Sequence, residues 1–167
     1  LLEKSPIKKS IIQGTDLVFV RELTGGIYFG KRGRNKTDDY AYDTCEYNVN
    51  EIKRLAKIGF ELAMKRSKKL CCIDKANVLE TSRLWRQTVQ SLEKNYPEVN
   101  VSYEFVDAVA MRLIHSPSYY DVLITSNLFG DILTDEASVI SGSMGLMPSA
   151  SVGVETSIYE PIHLSLI

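Results

Sequence analysis

The sequence predicts an α/β fold, with parallel strands joined by helices. Two observations predict it. Strand-like and helix-like segments alternate through most of the 167 residues. The stretches between successive strands are long enough for a helix to carry the chain back for parallel pairing. With 44% hydrophobic residues the chain can bury one ordinary core, and it is too short for two full domains.

Residues 16–20 are apolar and β-branched, so they read as a buried strand. Thr24-Gly25-Gly26 ends it in a loop. Residues 31–39 are charged and are expected to run through solvent. Residues 40–47 alternate aromatic and polar side chains, which suits a two-sided strand in an extended arm. From 49 to 66 the period changes to that of a helix, which Asn48 or Asn50 can cap. Residues 69–73 are strand-like. Thr81 or Ser82 is expected to cap a helix carrying Leu84, Trp85, Val89 and Leu92 and ending before Pro97. A strand over 99–106, a short helix over 108–115 and a strand over 120–125 come next. A helix then runs from Asp131 to near Gly142, after a turn at Gly130. From Gly153 onward the pattern is lost.

Lys+Arg is 20 and Asp+Glu is 21, so the net charge is -1 and nothing suggests a nucleic-acid or membrane partner. No apolar run is long enough to span a bilayer, and residues 1–10 do not read as a signal peptide. Three cysteines, two of them adjacent, do not make a disulfide framework, which points to a reducing compartment. Cys71 and Cys72 read as buried strand residues. Leu1 is not an initiator methionine, and the chain is expected to be a piece of a longer one.

Several candidate residues fall at predicted strand ends. Asp131 and Asp135, spaced i,i+4, share one helix face. Paired carboxylates there suit a hard divalent cation, Mg²⁺ or Mn²⁺; the ordinary alternative is solvated acids complementing a helix dipole. Asp107 follows a strand and is either a third oxygen ligand or a helix cap. Lys75 is either a base, if partly buried near cations, or a surface lysine paired with Asp74. Arg21 could grip a carboxylate through its planar fork or pair with Glu22. Tyr28 could donate a proton or simply pack. There is no G-x-G-x-x-G and no Walker loop.

These segments resemble 3-isopropylmalate dehydrogenases, within the isocitrate/isopropylmalate dehydrogenase family. Val20-Arg21-Glu22-Leu23-Thr24-Gly25-Gly26-Ile27-Tyr28-Phe29-Gly30 resembles that family's substrate loop. Asp74-Lys75-Ala76-Asn77-Val78-Leu79 resembles its lysine segment, and Val106-Asp107-Ala108 with Ala110-Met111 its first metal segment. Ser126 through Asp135, with Gly142-Ser143-Met144-Gly145-Leu146-Met147-Pro148-Ser149-Ala150, resembles its second. The similarity runs from about Ser5 to His163.

The resemblance implies a central substrate, metal and dimerisation domain over 1–152, with a mixed sheet flanked by helices and a protruding β arm at about 31–47. Residues 153–167 would begin the return to a nucleotide-binding domain. It implies a cytoplasmic, NAD-dependent oxidative decarboxylation of 3-isopropylmalate, a small 2-hydroxy acid, in leucine biosynthesis. Tyr28 would be the acid and Lys75 the base. Arg21 and Asp107 would bind substrate, and Asp107, Asp131 and Asp135 would hold Mg²⁺ or Mn²⁺. The implied enzyme is a homodimer whose site is composite, with Lys75 and Asp107 from one subunit and the rest from the other. Isocitrate, tartrate and homoisocitrate dehydrogenases are the related alternatives; Leu23-Thr24-Gly25-Gly26 and Phe129 favour isopropylmalate. A non-catalytic metal-binding dimerisation domain is the other. His163 stands where the resemblance implies a lead-in to the NAD adenosine loop. Leu164-Ser165-Leu166-Ile167 departs from the glycine-rich continuation, so the chain alone is expected to be inactive.

Overall fold

The computed structural model describes residues 5–142, 147–153 and 156–161. In chain order come α1 (Lys9–Ile12), β1 (Val18–Arg21), a 3₁₀ turn (Gly26–Tyr28), β2 (Arg32–Arg34), β3 (Ala41–Asp43), α2 (Val49–Lys65) and β4 (Lys69–Asp74). Beyond these lie α3 (Glu80–Glu93), β5 (Asn100–Phe105), α4 (Val106–His115), a 3₁₀ turn (Pro117–Tyr119), β6 (Val122–Thr125), α5 (Asn127–Ser141), β7 (Pro148–Val152) and β8 (Ser157–Pro161).

The main sheet has the order β1-β6-β4-β5, and every pair in it is parallel. A mixed sheet was expected. Among the described residues the antiparallel pairs instead form two separate hairpins, β2–β3 and β7–β8. The reason is connectivity: each later strand of the main sheet is reached through a helix, which turns the chain back to the same starting edge.

Side-chain alternation along the strands divides the core in two. Leu70, Cys72, Val122 and Ile124 face α2 and α3, meeting Phe60, Trp85 and Val89. Cys71, Ile73 and Leu123 face the other way, onto Val109 and Leu113 of α4 and Leu133 of α5. Both faces of the sheet are therefore covered, as an all-parallel sheet requires. Cys71 and Cys72 are buried strand residues, as expected, and burial pushes the Cys71 thiol up to about 12 and Cys72 well above its ordinary value.

α2 starts where Asn48 can hold it. The Asn48 side chain accepts from the backbone N–H of Asn50 and Glu51, at 2.9 and 3.1 Å, while the Glu51 carboxylate accepts from the Asn48 N–H at 2.9 Å. The cap expected at Thr81 or Ser82 is corrected. α3 begins earlier, at Glu80, behind Leu79, which makes no side-chain cap bond. The turn at Lys75, whose carbonyl accepts from the N–H groups of Val78 and Leu79, already winds the chain before either hydroxyl arrives.

The arm is a hairpin. Arg32 pairs with Asp43 and Arg34 with Ala41, so part of the excursion expected over 31–39 is strand, and the strand expected over 40–47 pairs only at 41–43. The tail also differs from expectation. β7 and β8 pair antiparallel, from Pro148 opposite Pro161 to Val152 opposite Ser157, with the Gly153 N–H closing the turn on the Thr156 carbonyl at 2.9 Å. This short hairpin leaves Val152, Ile158 and Tyr159 exposed, so burial imposes no alternation on the sequence that would mark it. Among the described residues, no helix is long and apolar enough to cross a membrane.

Candidate active site

Parallel register decides which residues can meet. Arg21 stands opposite Thr125, Cys72 opposite Ile124, and Asp74 opposite Phe105, so the four strands finish on one edge of the sheet. The segment leaving each strand is delivered to that edge, where ligands bind in open α/β sheets.

One group forms after β1 and β6. Arg21 ends β1 and reaches over the first turns of α5. Its Nη1 lies 2.6 Å from an Asp131 carboxylate oxygen, and its Nε and Nη2 donate to Asn127 Oδ1 at 3.2 and 2.9 Å. The Tyr28 phenol donates to the other Asp131 oxygen. That bond, with slight burial and the Asp131 charge, raises the Tyr28 pKa; nearby Arg21 works against the shift and Asp135 adds to it. A half-exposed phenol that keeps its proton against a carboxylate is fit to be a proton donor.

α5 begins at Asn127 and not beyond Gly130, which corrects the expected turn there. Gly130 lies inside the helix because Arg21 crosses it: a Cβ at that position would stand 2.6 Å from Arg21 Cγ. Asp131 and Asp135 therefore sit in the second and third turns of the helix, on the face bordering Arg21 and Tyr28, rather than as acids at its N-terminus.

The loop that carries Tyr28 is pinned by Glu22. This buried carboxylate accepts from the backbone N–H of Thr24 and Gly25, at 3.0 and 2.7 Å, and from the Thr24 hydroxyl at 2.7 Å. Arg54 stands 3.4 Å from it, so the charge partner of Glu22 is Arg54 and not its neighbour Arg21. Gly26 has φ +78°, and a Cβ there would meet the Tyr47 hydroxyl at 2.2 Å.

A second group forms after β4 and β5. Lys75 pairs with Asp107, which belongs to the first turn of α4 rather than to the end of the preceding strand. The Lys75 ammonium holds the Asp107 carboxyl below its ordinary range. Lys75 does not pair with Asp74. That buried carboxylate takes Arg86 in a two-pronged bond, at 2.7 and 3.0 Å, and the Ala76 N–H at 2.9 Å. The Phe105 ring lies beneath both cations, with Arg86 at 5.3 Å and Lys75 Nζ at 5.7 Å.

Arg21, Tyr28, Asp131 and Asp135 are thus brought together, and Lys75 and Asp107 form a separate pair. Among the described residues no three Asp, Glu, His or Cys side chains converge as a metal site, so Asp107 does not join Asp131 and Asp135 within one chain. His163 lies outside the described residues. Sequence reasoning assigned no role to Asn127, Tyr47 or Arg86, whose polar atoms act through contacts distant in the chain. It offered Glu22 only as a partner for Arg21, whereas Glu22 pins the loop just after it.

The sequence profile described as "isocitrate/isopropylmalate dehydrogenase" matches residues 1–166. A 3-isopropylmalate dehydrogenase of Clostridium acetobutylicum is 57% identical over 98% of this chain and 47% of its own length. Another from Bacteroides fragilis is 55% identical, over 98% of this chain and 46% of its own. The chain spans about half the length of the curated relatives it matches. Among solved structures, an isocitrate dehydrogenase from Methylococcus capsulatus superposes with a TM-score of 0.83 at 34% identity, covering 90% of this chain and 48% of that one.

Proposed function

The chain belongs to the isocitrate/isopropylmalate dehydrogenase family, and from that premise we propose that it supplies the acid, the base and the metal-binding carboxylates of an NAD-dependent, cytoplasmic 3-isopropylmalate dehydrogenase of leucine biosynthesis. The observation that carries this reading is the division of six residues, at one edge of a parallel sheet, into an Arg21–Tyr28–Asp131–Asp135 group and a Lys75–Asp107 pair. Two-fold pairing of subunits would set the first group of one copy against the second of its partner. The hairpin arm over 32–43 is the proposed element of that dimer.

The donor set suits Mg²⁺ or Mn²⁺: carboxylate oxygens are hard ligands, and two of them share one helix face. Among the described residues one chain offers only that half-site, and Asp107 of the second subunit would complete it. When bound there, the cation would stabilise the negative charge that develops on the keto oxygen as carbon dioxide leaves. Arg21 would hold the malate carboxylate in its planar fork, beside Asp107 as a further substrate contact. Lys75 would take the hydroxyl proton as hydride passes to the nicotinamide. Tyr28 would return a proton to carbon. The residues that would hold the dinucleotide, His163 included, lie outside the described part, and the chain alone is expected not to turn over substrate.

The test is metal binding in mixed dimers. Asp107→Asn and Asp131→Asn should each weaken Mg²⁺ binding at least about tenfold in calorimetry. If the site is shared, exchanging subunits between the two variants rebuilds one intact site per heterodimer and restores tight binding. Two variants that stay weak after exchange, or a wild-type chain indifferent to Asp131→Asn, would refute the ligand assignment.

A further inference from the structure

We infer that Asn127 and Tyr47 are positioning residues: together they aim the Arg21 guanidinium and tie it, with the Tyr28 loop, to the base of the hairpin arm. The inference rests on the proposed function for what Arg21 and Tyr28 do, and on geometry for the rest.

Asn127 is buried, and each of its polar groups is engaged. Its Oδ1 accepts from Arg21 Nε and Nη2, while its Nδ2 donates to the Gly25 carbonyl at 3.1 Å. Its amide offers an acceptor to the guanidinium and a donor to the loop from one planar group, which neither a carboxylate nor a single hydroxyl at this position reproduces. With Nε and Nη2 taken by Asn127 and Nη1 by Asp131, the plane of the Arg21 fork is set from two sides. The same amide fixes Gly25, just ahead of the 3₁₀ turn that carries Tyr28.

The backbone of Asn127 is held in turn. It is the first residue of α5, and the preceding Ser126 makes no side-chain cap bond. The Asn127 N–H donates instead to the Tyr47 hydroxyl oxygen at 3.0 Å. Tyr47 lies four residues past the hairpin. Its ring fills the space over Gly25 and Gly26 and stands edge-on to Trp85, with centroids 5.3 Å apart. Burial raises the Tyr47 pKa to about 12, so the phenol stays neutral at this junction throughout the working pH range. A shift of the arm's base thus reaches Arg21 through one hydroxyl and one amide.

The test monitors the Arg21 Nε–H by ¹⁵N NMR in the whole chain, its signal assigned by its loss in Arg21→Lys. In the wild type this proton should exchange slowly with water. Asn127→Ser should speed exchange about tenfold or more, because the short hydroxyl does not reach the guanidinium. Asn127→Asp should restore slow exchange, since a carboxylate still accepts from Arg21, while the Gly25 loop loses its donor. Tyr47→Phe keeps the ring against Trp85 and should speed Arg21 exchange several-fold with Trp85 fluorescence unchanged. This second variant decides the matter if Asn127→Ser does not fold. Unchanged Arg21 exchange in Tyr47→Phe, or no rescue by Asp, overturns the inference. Neither measurement involves metal or substrate, so its failure and the failure of the mixed-dimer experiment are separate results.

Discussion

At Tyr28 the relevant quantity is a proton. Its phenol is held by the Asp131 carboxylate, which raises its pKa, and Arg21 only partly offsets that. Removing the carboxylate charge should therefore let the phenol ionise at lower pH. In Asp131→Asn the Tyr28 titration, tracked by ¹³C NMR of labelled tyrosine, should move down toward the ordinary tyrosine value near 10; an unmoved titration would show that Asp131 does not hold the proton. The two carboxylates of α5 were readable from the sequence because i,i+4 spacing puts side chains on one helix face wherever the helix begins. Asn127 was not readable. Its role depends on Arg21, 106 positions away in the chain.

Elements are joined at the opposite edge of the sheet by Asp121, just before β6. Its carboxylate accepts from the Ser67 N–H at 2.9 Å and pairs with Arg66 at the end of α2. Burial acts to raise its pKa, yet the Ser67 and Arg66 bonds outweigh burial and leave it lowered. A lowered folded pKa gives stability that is fully present above the ordinary carboxylate range and is lost as pH falls through the folded value. Asp121→Asn should thus cost about 1–2 kcal/mol in urea unfolding at pH 7, and the difference between the two proteins should begin to shrink only as pH falls below about 4. Packing between α2 and β6 is equally specific. A Cβ at Gly59 would stand 2.3 Å from Ile124 Cγ2, so Gly59→Ala should lower stability by about 1–3 kcal/mol in the same assay. Helical periodicity identified α2 and short unbroken apolar runs identified β4 and β6, because one is buried on one face and the others on both. The start of α5 was misread because Gly130 looks like a breaker, whereas its missing side chain makes room for Arg21. The start of α3 was misread because Thr81 and Ser82 are good caps locally, and the turn at Lys75 came first.

For the whole molecule, the parallel sheet gathers every strand end to one edge and covers both faces with helices. That much is expected from alternating strands and helices alone. The split of the site into two groups is not, because spacing along a chain carries no information on which strand ends are neighbours. The strand order accounts for the pairing within each group: β1 neighbours β6, so Arg21 meets Asp131, and β4 neighbours β5, so Lys75 meets Asp107. The burial of two of the three thiols has a practical consequence. Cys71 and Cys72 are sealed in the core with raised pKa values, whereas Cys45, two residues past β3, is only partly covered. A maleimide spin label should attach at Cys45 alone, without mutagenesis, and mass spectrometry of the digested adduct would reveal any second site. Pulsed electron resonance between two such labels would then give a ruler across any pair of associated chains, read directly at the root of the arm.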